Sequence, residues 1–270
     1  MQENNSIFSN LVSPYDARDF KIALTSTDFP ENFELPGVTV KNQGSTGSCV
    51  AHACSSVVEY HNKEQEGTDK VFSTEFIYGY RPTGYYVGEG MYIRDALKTL
   101  LKVGDCLQSD LSGNHKCPKA MEKVNANLEQ LKDYAYPHRI SAYAKINGEN
   151  EIKNALMKYG YVVVSMPWHK DYKLVNDVYT YTSNETSGYH CVVIYGWTKQ
   201  GWLVHNSWGK WWGKDGKFTV PFNFKWREAW AVIDEIQGEG DIKRPNWFIR
   251  TISPIINQIV HWFSITFKKN

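Results

Sequence analysis

From Cys49 to Lys63, the residues Val50, Ala53, Cys54, Val57, Val58 and His61 recur at three- and four-residue spacing, with Glu59 and Asn62 opposite. That repeat is one face of an α-helix, so the spacing predicts a buried helix that starts at Ser48, behind the glycine-rich turn of QGSTGS. A second helix is predicted over Met91 to Val103, closed by Gly104, and a third over Ala120 to Tyr134. After Tyr134 the pattern changes to short β-branched and aromatic runs, YVVVSMPW, VYTYTS, HCVVIYGW, GWLVHNSW and GKFTVPF, broken by Gly, Asn and Ser. These read as antiparallel strands. Helices followed by strands predict an α+β fold of two lobes, with the cleft between them as the favoured place for a site. Beyond the linker-like GEGDIKRP, the residues Ile252, Ile255, Ile256, Ile259, Val260, Phe263 and Phe267 mark an amphipathic helix.

Composition narrows the function classes. Thirty basic residues against twenty-nine acidic leave a net charge of +1, so no global field recruits nucleic acid. The ten tryptophans suit a ring-lined cleft and exclude extensive disorder. Five cysteines, at 49, 54, 106, 117 and 191, cannot all pair. Most are expected as thiols in a reducing, cytoplasmic or other intracellular compartment, while Cys106 and Cys117 are near enough in sequence to bridge in an oxidising one. The opening MQENNSIFSNLVSPYDARDF lacks a basic segment followed by an apolar run, so no secretory signal is expected. No stretch approaches the ~18 apolar residues of a membrane span.

A cysteine at a helix N-terminus meets unpaired N–H groups and positive potential, which favour its thiolate. Cys49 is so placed, yet from this stretch alone a buried structural thiol is equally compatible, and a partner base decides. His190 opens the strand-like run HCVVIYGW, and Asn206 in GWLVHNSWG offers an amide to orient its imidazole. Gln43, shortly before Cys49, is placed to join the Cys49 backbone N–H in an oxyanion hole.

Together QGSTGSC, GYHCVVIYGW and NSWGKWWGKDG resemble the papain-like cysteine peptidases, over about residues 28–240. The resemblance implies a two-lobed papain-like α+β fold, with a helical lobe carrying the nucleophile helix, an antiparallel β-barrel-like lobe carrying the base, and the active-site cleft between. It implies Cys49 as nucleophile, His190 as base, Asn206 as orienter and Gln43 as oxyanion donor, with Trp208 shielding the Asn–His hydrogen bond. Gly88 and Gly90 are then the main-chain rim for the substrate. Met91, Tyr92 and Val164 line the pocket for the second residue upstream of the cut, and Tyr189 adjoins the base. Residues 1–27 form a short extension and 241–270 a linker and helix.

The departures concern surroundings. Thr46 stands where the family has a disulfide cysteine, Val50 follows the nucleophile in place of an aromatic, and Tyr189 replaces a small or acidic residue. SPYDARDF resembles the lead-in of short, prokaryote-type single-domain members and is expected as a surface strap on one lobe, with a plug of the cleft as the alternative; as few residues precede the region of resemblance, the full chain is expected to cleave without a lag. Cys54, His52 and His61 are expected in packing roles, His205 on the opposite strand face from Asn206, and Cys191 buried. Neither HExxH nor paired CxxC occurs, so neither metal nor cofactor is implied. The reading is a cysteine endopeptidase acting on peptide or protein substrates through an acyl-enzyme. The alternatives are a peptide ligase or transacylase with the same four residues, distinguished by products formed with an added amine, or a non-catalytic peptide-binding relative, distinguished by a thiol probe. The tail is expected to dock on the protein's own body or a partner, with a membrane surface as the alternative host.

Overall fold

The stripe beginning at Cys49 folds as helix α1 (Cys49–Glu66), which ends on Gly67 in the left-handed region, φ 69°, with the Gly67 amide donating to the Lys63 carbonyl. The computed structural model describes residues 8, 10–16, 27–81 and 88–234. The linker and amphipathic helix expected over 241–270 lie outside the described residues.

Helix α1 is buried on every side as far as Asn62, including the polar face that carries Glu59. A carboxylate there needs a partner, and Lys41 supplies it, with Nζ 2.7 Å from Glu59 Oε1 and 2.6 Å from Ser55 Oγ. Two short strands, β1 (Asn10–Leu11) and β2 (Phe33–Glu34), precede the helix, and α2 (Thr74–Gly79), β3 (Met91–Tyr92), α3 (Ile93–Lys102), α4 (Lys119–Ala126) and α5 (Leu128–Ala135) follow it. The expected helix over Met91 to Val103 is therefore shortened at its start. Met91 and Tyr92 are held extended by parallel pairing with Asn10 and Leu11, and this tertiary ladder overrides their helical spacing. The expected helix over Ala120 to Tyr134 breaks at Asn127, whose ψ of 33° departs from the helical value.

The second lobe contains β4 (Ala142–Ile146), α6 (Gly148–Tyr159), β5 (Val162–His169), β6 (Lys173–Val175), β7 (Val178–Thr180), β8 (Thr186–Thr198), β9 (Gly201–His205), β10 (Lys217–Val220) and β11 (Glu228–Ile233). The strand order is β4-β11-β5-β8-β9-β10-β7-β6, with β2 added on β8. Pairing is antiparallel except between β7 and β10. Helix α6 was not expected, since GENEIKNALMKY lies among strand-like runs.

Register divides the cores. Along β5 and β8, Val163 pairs with Val193, and both enter the cluster around α1 and α3; Val162, Val164, Val192 and Ile194 face the other way, onto Ile152 and Leu156 of α6. Each such fully buried aliphatic contributes about 1.5–3 kcal/mol relative to exposure.

Helices α2 and α4 pack closely, and a Cβ at Gly79 would stand 2.4 Å from the Ala120 carbonyl oxygen and 2.5 Å from Val124 Cγ2. Gly79→Ala is expected to cost about 1–3 kcal/mol, the scale of an overpacked core. A thermal melt checks it: an unchanged midpoint would mean that α2 and α4 separate at no cost.

Candidate active site

Helix α1, which begins at Cys49, packs along β8, which carries His190, and along β5. Cys49 and Cys191, the neighbour of His190, lie in the same core cluster. His190 donates through Nε2 to Asn206 Oδ1 at 2.8 Å, and the same oxygen accepts the Ser207 backbone N–H at 2.8 Å. An acceptor facing Nε2 fixes the tautomer and leaves the lone pair on Nδ1, which has no hydrogen-bond partner.

Rings enclose this hydrogen bond. Trp208 lies 4.8 Å from the His190 ring and Trp168, on β5, stands edge-on at 5.4 Å. Trp168 was missed in the sequence because YVVVSMPW reads as an ordinary buried strand, although its pairing places Trp168 opposite Gly188, two residues before the base.

The loop before α1 is tied on both sides. Gln43 is fully buried, its backbone N–H donating to the Ser207 carbonyl at 2.8 Å. Its side chain accepts Ser207 Oγ at 2.7 Å and donates Nε2 to the Thr46 carbonyl at 2.9 Å. Thr46 also contacts Ser48 Oγ and Asn114 Oδ1, at 2.6 and 2.9 Å. The five cysteines carry no disulfide.

Gly88 is exposed and Gly90 buried on the rim, and Tyr92 is half-buried. Met91 is fully buried in the helical core under the strap. Val164 is corrected: it points into the α6-side core, and its neighbour Ser165 faces the cleft, donating Oγ to Asn10 Oδ1 at 2.9 Å. Alternation on a strand makes a one-residue error a change of face. Tyr189 lies beside the base and accepts Arg227 Nη1 at 2.8 Å. Glu228, paired opposite Ser165, went unnoticed; it is buried, with Oε1 accepting the Ser13 N–H at 2.7 Å and Oε2 accepting Trp230 Nε1 at 3.0 Å.

Residues ahead of SPYDARDF enter the site as well, while 17–20 of that stretch lie outside the described residues. Phe8 packs on Trp168 at 5.9 Å, edge-on to His190 at 6.2 Å and to Trp208 at 5.9 Å, while Asn10 and Leu11 pair with Met91 and Tyr92. A Cβ at Gly188 would stand 2.7 Å from Phe8 Cβ, so the absence of a side chain there admits the ring. The segment touches both walls of the cleft rather than the outside of one lobe.

Burial governs the electrostatics. It lowers His190 to about 4, against the Asn206 hydrogen bond, which raises it. The imidazole under Phe8 is therefore neutral near pH 7. Burial likewise lowers His52 to about 3, His61 to about 4 and His205 to about 3. It raises the thiols of Cys54, Cys106 and Cys191, and also Asp105, which is fully buried beside the Lys41–Glu59 pair.

Comparison with known proteins agrees with this geometry. Residues 27–230 match the family model described as papain family cysteine protease. Cathepsin B-like cysteine proteinase 3 of Caenorhabditis elegans is 27% identical over 208 residues, covering 67% of this chain and 56% of that protein. A cysteine protease of Blomia tropicalis is 26% identical, covering 71% of this chain and 61% of its own length, so the match spans less than two thirds of either relative. Xylellain, a cysteine protease from Xylella fastidiosa, superposes with a TM-score of 0.76 at 21% identity over 86% of this chain and 97% of its own, a likeness of fold. Among the described residues no helix is long and apolar enough to cross a membrane.

Four of the lowered histidines, His52, His61, His190 and His205, set a pH dependence. Each binds a proton in the unfolded chain near its model value of 6.5 and refuses it in the fold. Their contribution to stability is thus complete above about pH 6.5 and lost as pH falls through the folded values of about 4 and 3. His61→Gln is expected to reduce the slope of unfolding free energy against pH in that window by up to one proton, about 1.4 kcal/mol per pH unit. Denaturant titrations at stepped pH check it, and an unchanged slope would mean that His61 is charged in the fold.

Proposed function

The chain belongs to the papain family of cysteine proteases, and on that premise we propose that it is a cysteine endopeptidase acting through an acyl-enzyme on Cys49. The single observation that carries the reading is the His190–Asn206 hydrogen bond of 2.8 Å inside a cage of rings, which presents Nδ1 as the basic nitrogen at the junction with α1.

In this mechanism the Cys49 thiol gives its proton to His190, and the thiolate attacks the peptide carbonyl carbon. The carbonyl oxygen takes the negative charge and is met by the Cys49 backbone N–H and Gln43 Nε2. As the C–N bond breaks, His190 returns its proton to the leaving amine. Water then loses a proton to His190, attacks the thioester, and frees the acid and the thiol. Asn206 keeps the ring in the tautomer that every step requires.

Catalysis needs the strap displaced, because Phe8 excludes water and substrate from His190 and Asn10 takes Ser165 and the Met91 strand. In the full-length chain, Phe8→Ala should raise kcat/KM about tenfold or more, the equivalent of 1.4 kcal/mol of occlusion. Cys49→Ala should abolish turnover at an unchanged melting temperature. Asn206→Ala should retain a residue of activity, lowered by about 10²–10⁴-fold, the range of general acid–base catalysis. Undiminished turnover in Cys49→Ala refutes the mechanism, whereas an inactive Phe8→Ala chain beside an active parent refutes only the role of the strap.

A further inference from the structure

One carboxylate outside the four proposed catalytic residues joins three segments of the cleft. Glu89, half-buried, lies between the two rim glycines Gly88 and Gly90. Its Oε2 accepts the backbone N–H of Gly47 at 2.6 Å and the hydroxyl of Tyr78 at 3.1 Å, and its Oε1 accepts the backbone N–H of Cys117 at 2.7 Å. The Tyr78 oxygen in turn accepts the Gly90 N–H at 3.0 Å. Gly47 stands two residues before Cys49, in the loop that begins with Gln43.

We propose that Glu89 is a positioning residue that clamps the Gln43–Cys49 loop to the glycine rim, so that the oxyanion donors and the substrate strand keep a fixed mutual distance. The proposal rests on the cysteine peptidase reading given above. A carboxylate suits the task because all its partners are donors, and charge-assisted bonds from two amides are short and strong. Glutamine is nearly isosteric but offers an NH₂ where a second acceptor is needed, so one amide would face another donor.

The segment around Cys117 is a crosspiece tied to the same loop elsewhere. Asn114 accepts Thr46 Oγ1 at 2.9 Å and donates Nδ2 to the Asn42 carbonyl at 3.1 Å. His115 is fixed by Glu75, which accepts its backbone N–H at 2.9 Å and faces its Nδ1 at 2.7 Å. On the opposite side the Gln43 loop hangs from Ser207. Glu89 thus ties the helical lobe to the backbone of Gly47, two residues before Cys49, beside the Asn114 tie to Thr46. Arg81, directed at the carbonyls of Gly88 and Gly90, steadies the rim itself.

The test compares Glu89→Gln, Glu89→Asp and Tyr78→Phe in the full-length chain, reading kcat and KM on a peptide amide, the affinity of a peptide aldehyde, and amide hydrogen exchange at Gly47 and Gly90. The aldehyde is the discriminating probe, since its thiohemiacetal places an oxygen where the oxyanion forms. Glu89→Gln is expected to lower kcat about 10- to 100-fold, the scale of a ~1 Å misplacement, with KM nearly constant. It should weaken the aldehyde by a similar factor and speed exchange at Gly47; Glu89→Asp should recover part of each. Tyr78→Phe frees the Gly90 N–H but leaves both amide bonds of Glu89, to Gly47 and Cys117, in place, so it should raise KM, speed exchange at Gly90 and spare kcat.

Wild-type kcat in Glu89→Gln, or a lowered kcat with unchanged aldehyde affinity, would overturn the proposal. If Glu89→Gln does not fold, Asn114→Ala cuts the neighbouring tie and should move kcat and aldehyde affinity together; if it changes melting alone, the clamp is only structural. If the wild-type chain and Phe8→Ala both cleave nothing, the peptidase reading is refuted instead, and Gly47 exchange in the variants still decides whether Glu89 holds the loop.

Discussion

The hydrogen bond between His190 and Asn206 depends on being kept dry. In water such a bond is exchanged for solvent at a net gain of about 1 kcal/mol, whereas a buried imidazole that loses its partner costs about 1–3 kcal/mol. The architecture of the second lobe follows from that asymmetry. His190 is on β8 and Asn206 directly after β9, and the antiparallel pairing of these strands holds the two backbones at ladder spacing. Trp168 arrives from β5 on the other side of β8, and Trp208 from the turn after β9. A slip of either register would wet the bond and turn Asn206 away.

The helical lobe solves a different problem, since it must bury the start of a helix whose neighbours include polar groups. Lys41 pairs with Ser55 Oγ and Glu59 Oε1 of α1, with Asp105 alongside, its carboxyl raised by burial. Lys41 also begins the segment that carries Gln43 and ends at Cys49, and its carbonyl accepts the Gly209 N–H from the second lobe. The same short stretch is therefore anchored in both cores. Over the finished cleft lies the chain's own Phe8, a ring that completes the cage and in doing so leaves His190 neutral. Packing that protects the base also silences it.

Helix α1 was legible in the sequence because its periodicity and its glycine-rich entry point the same way, and the strands around His190 and Asn206 because aromatic and β-branched runs end at glycines. The candidate site residues were legible only through local motifs, since nothing in the spacing of Gln43, Cys49, His190 and Asn206 measures a distance in space. Facing was less legible: Val164 and Ser165 differ by one position and by the whole thickness of the sheet, and only the β5–β8 register tells them apart. Met91 and Tyr92 carry helical spacing yet pair with β1, a partner eighty residues distant that no local window sees. Glu89 and Phe8 were illegible for the same reason, as each acts through contacts with remote backbone.

The central claim is that α1 and β8 place a thiol and an imidazole in one cleft and distinguish Cys49 from the other cysteines, which burial holds protonated. Iodoacetamide labelling of the full-length Phe8→Ala chain at about pH 6, with each cysteine quantified by peptide mass spectrometry, measures it directly. The expected result is carboxamidomethylation of Cys49 well ahead of Cys54, Cys106 and Cys191, lost when His190 is replaced by Ala. Equal labelling of all four cysteines, or labelling of Cys49 that is indifferent to His190, would contradict the account.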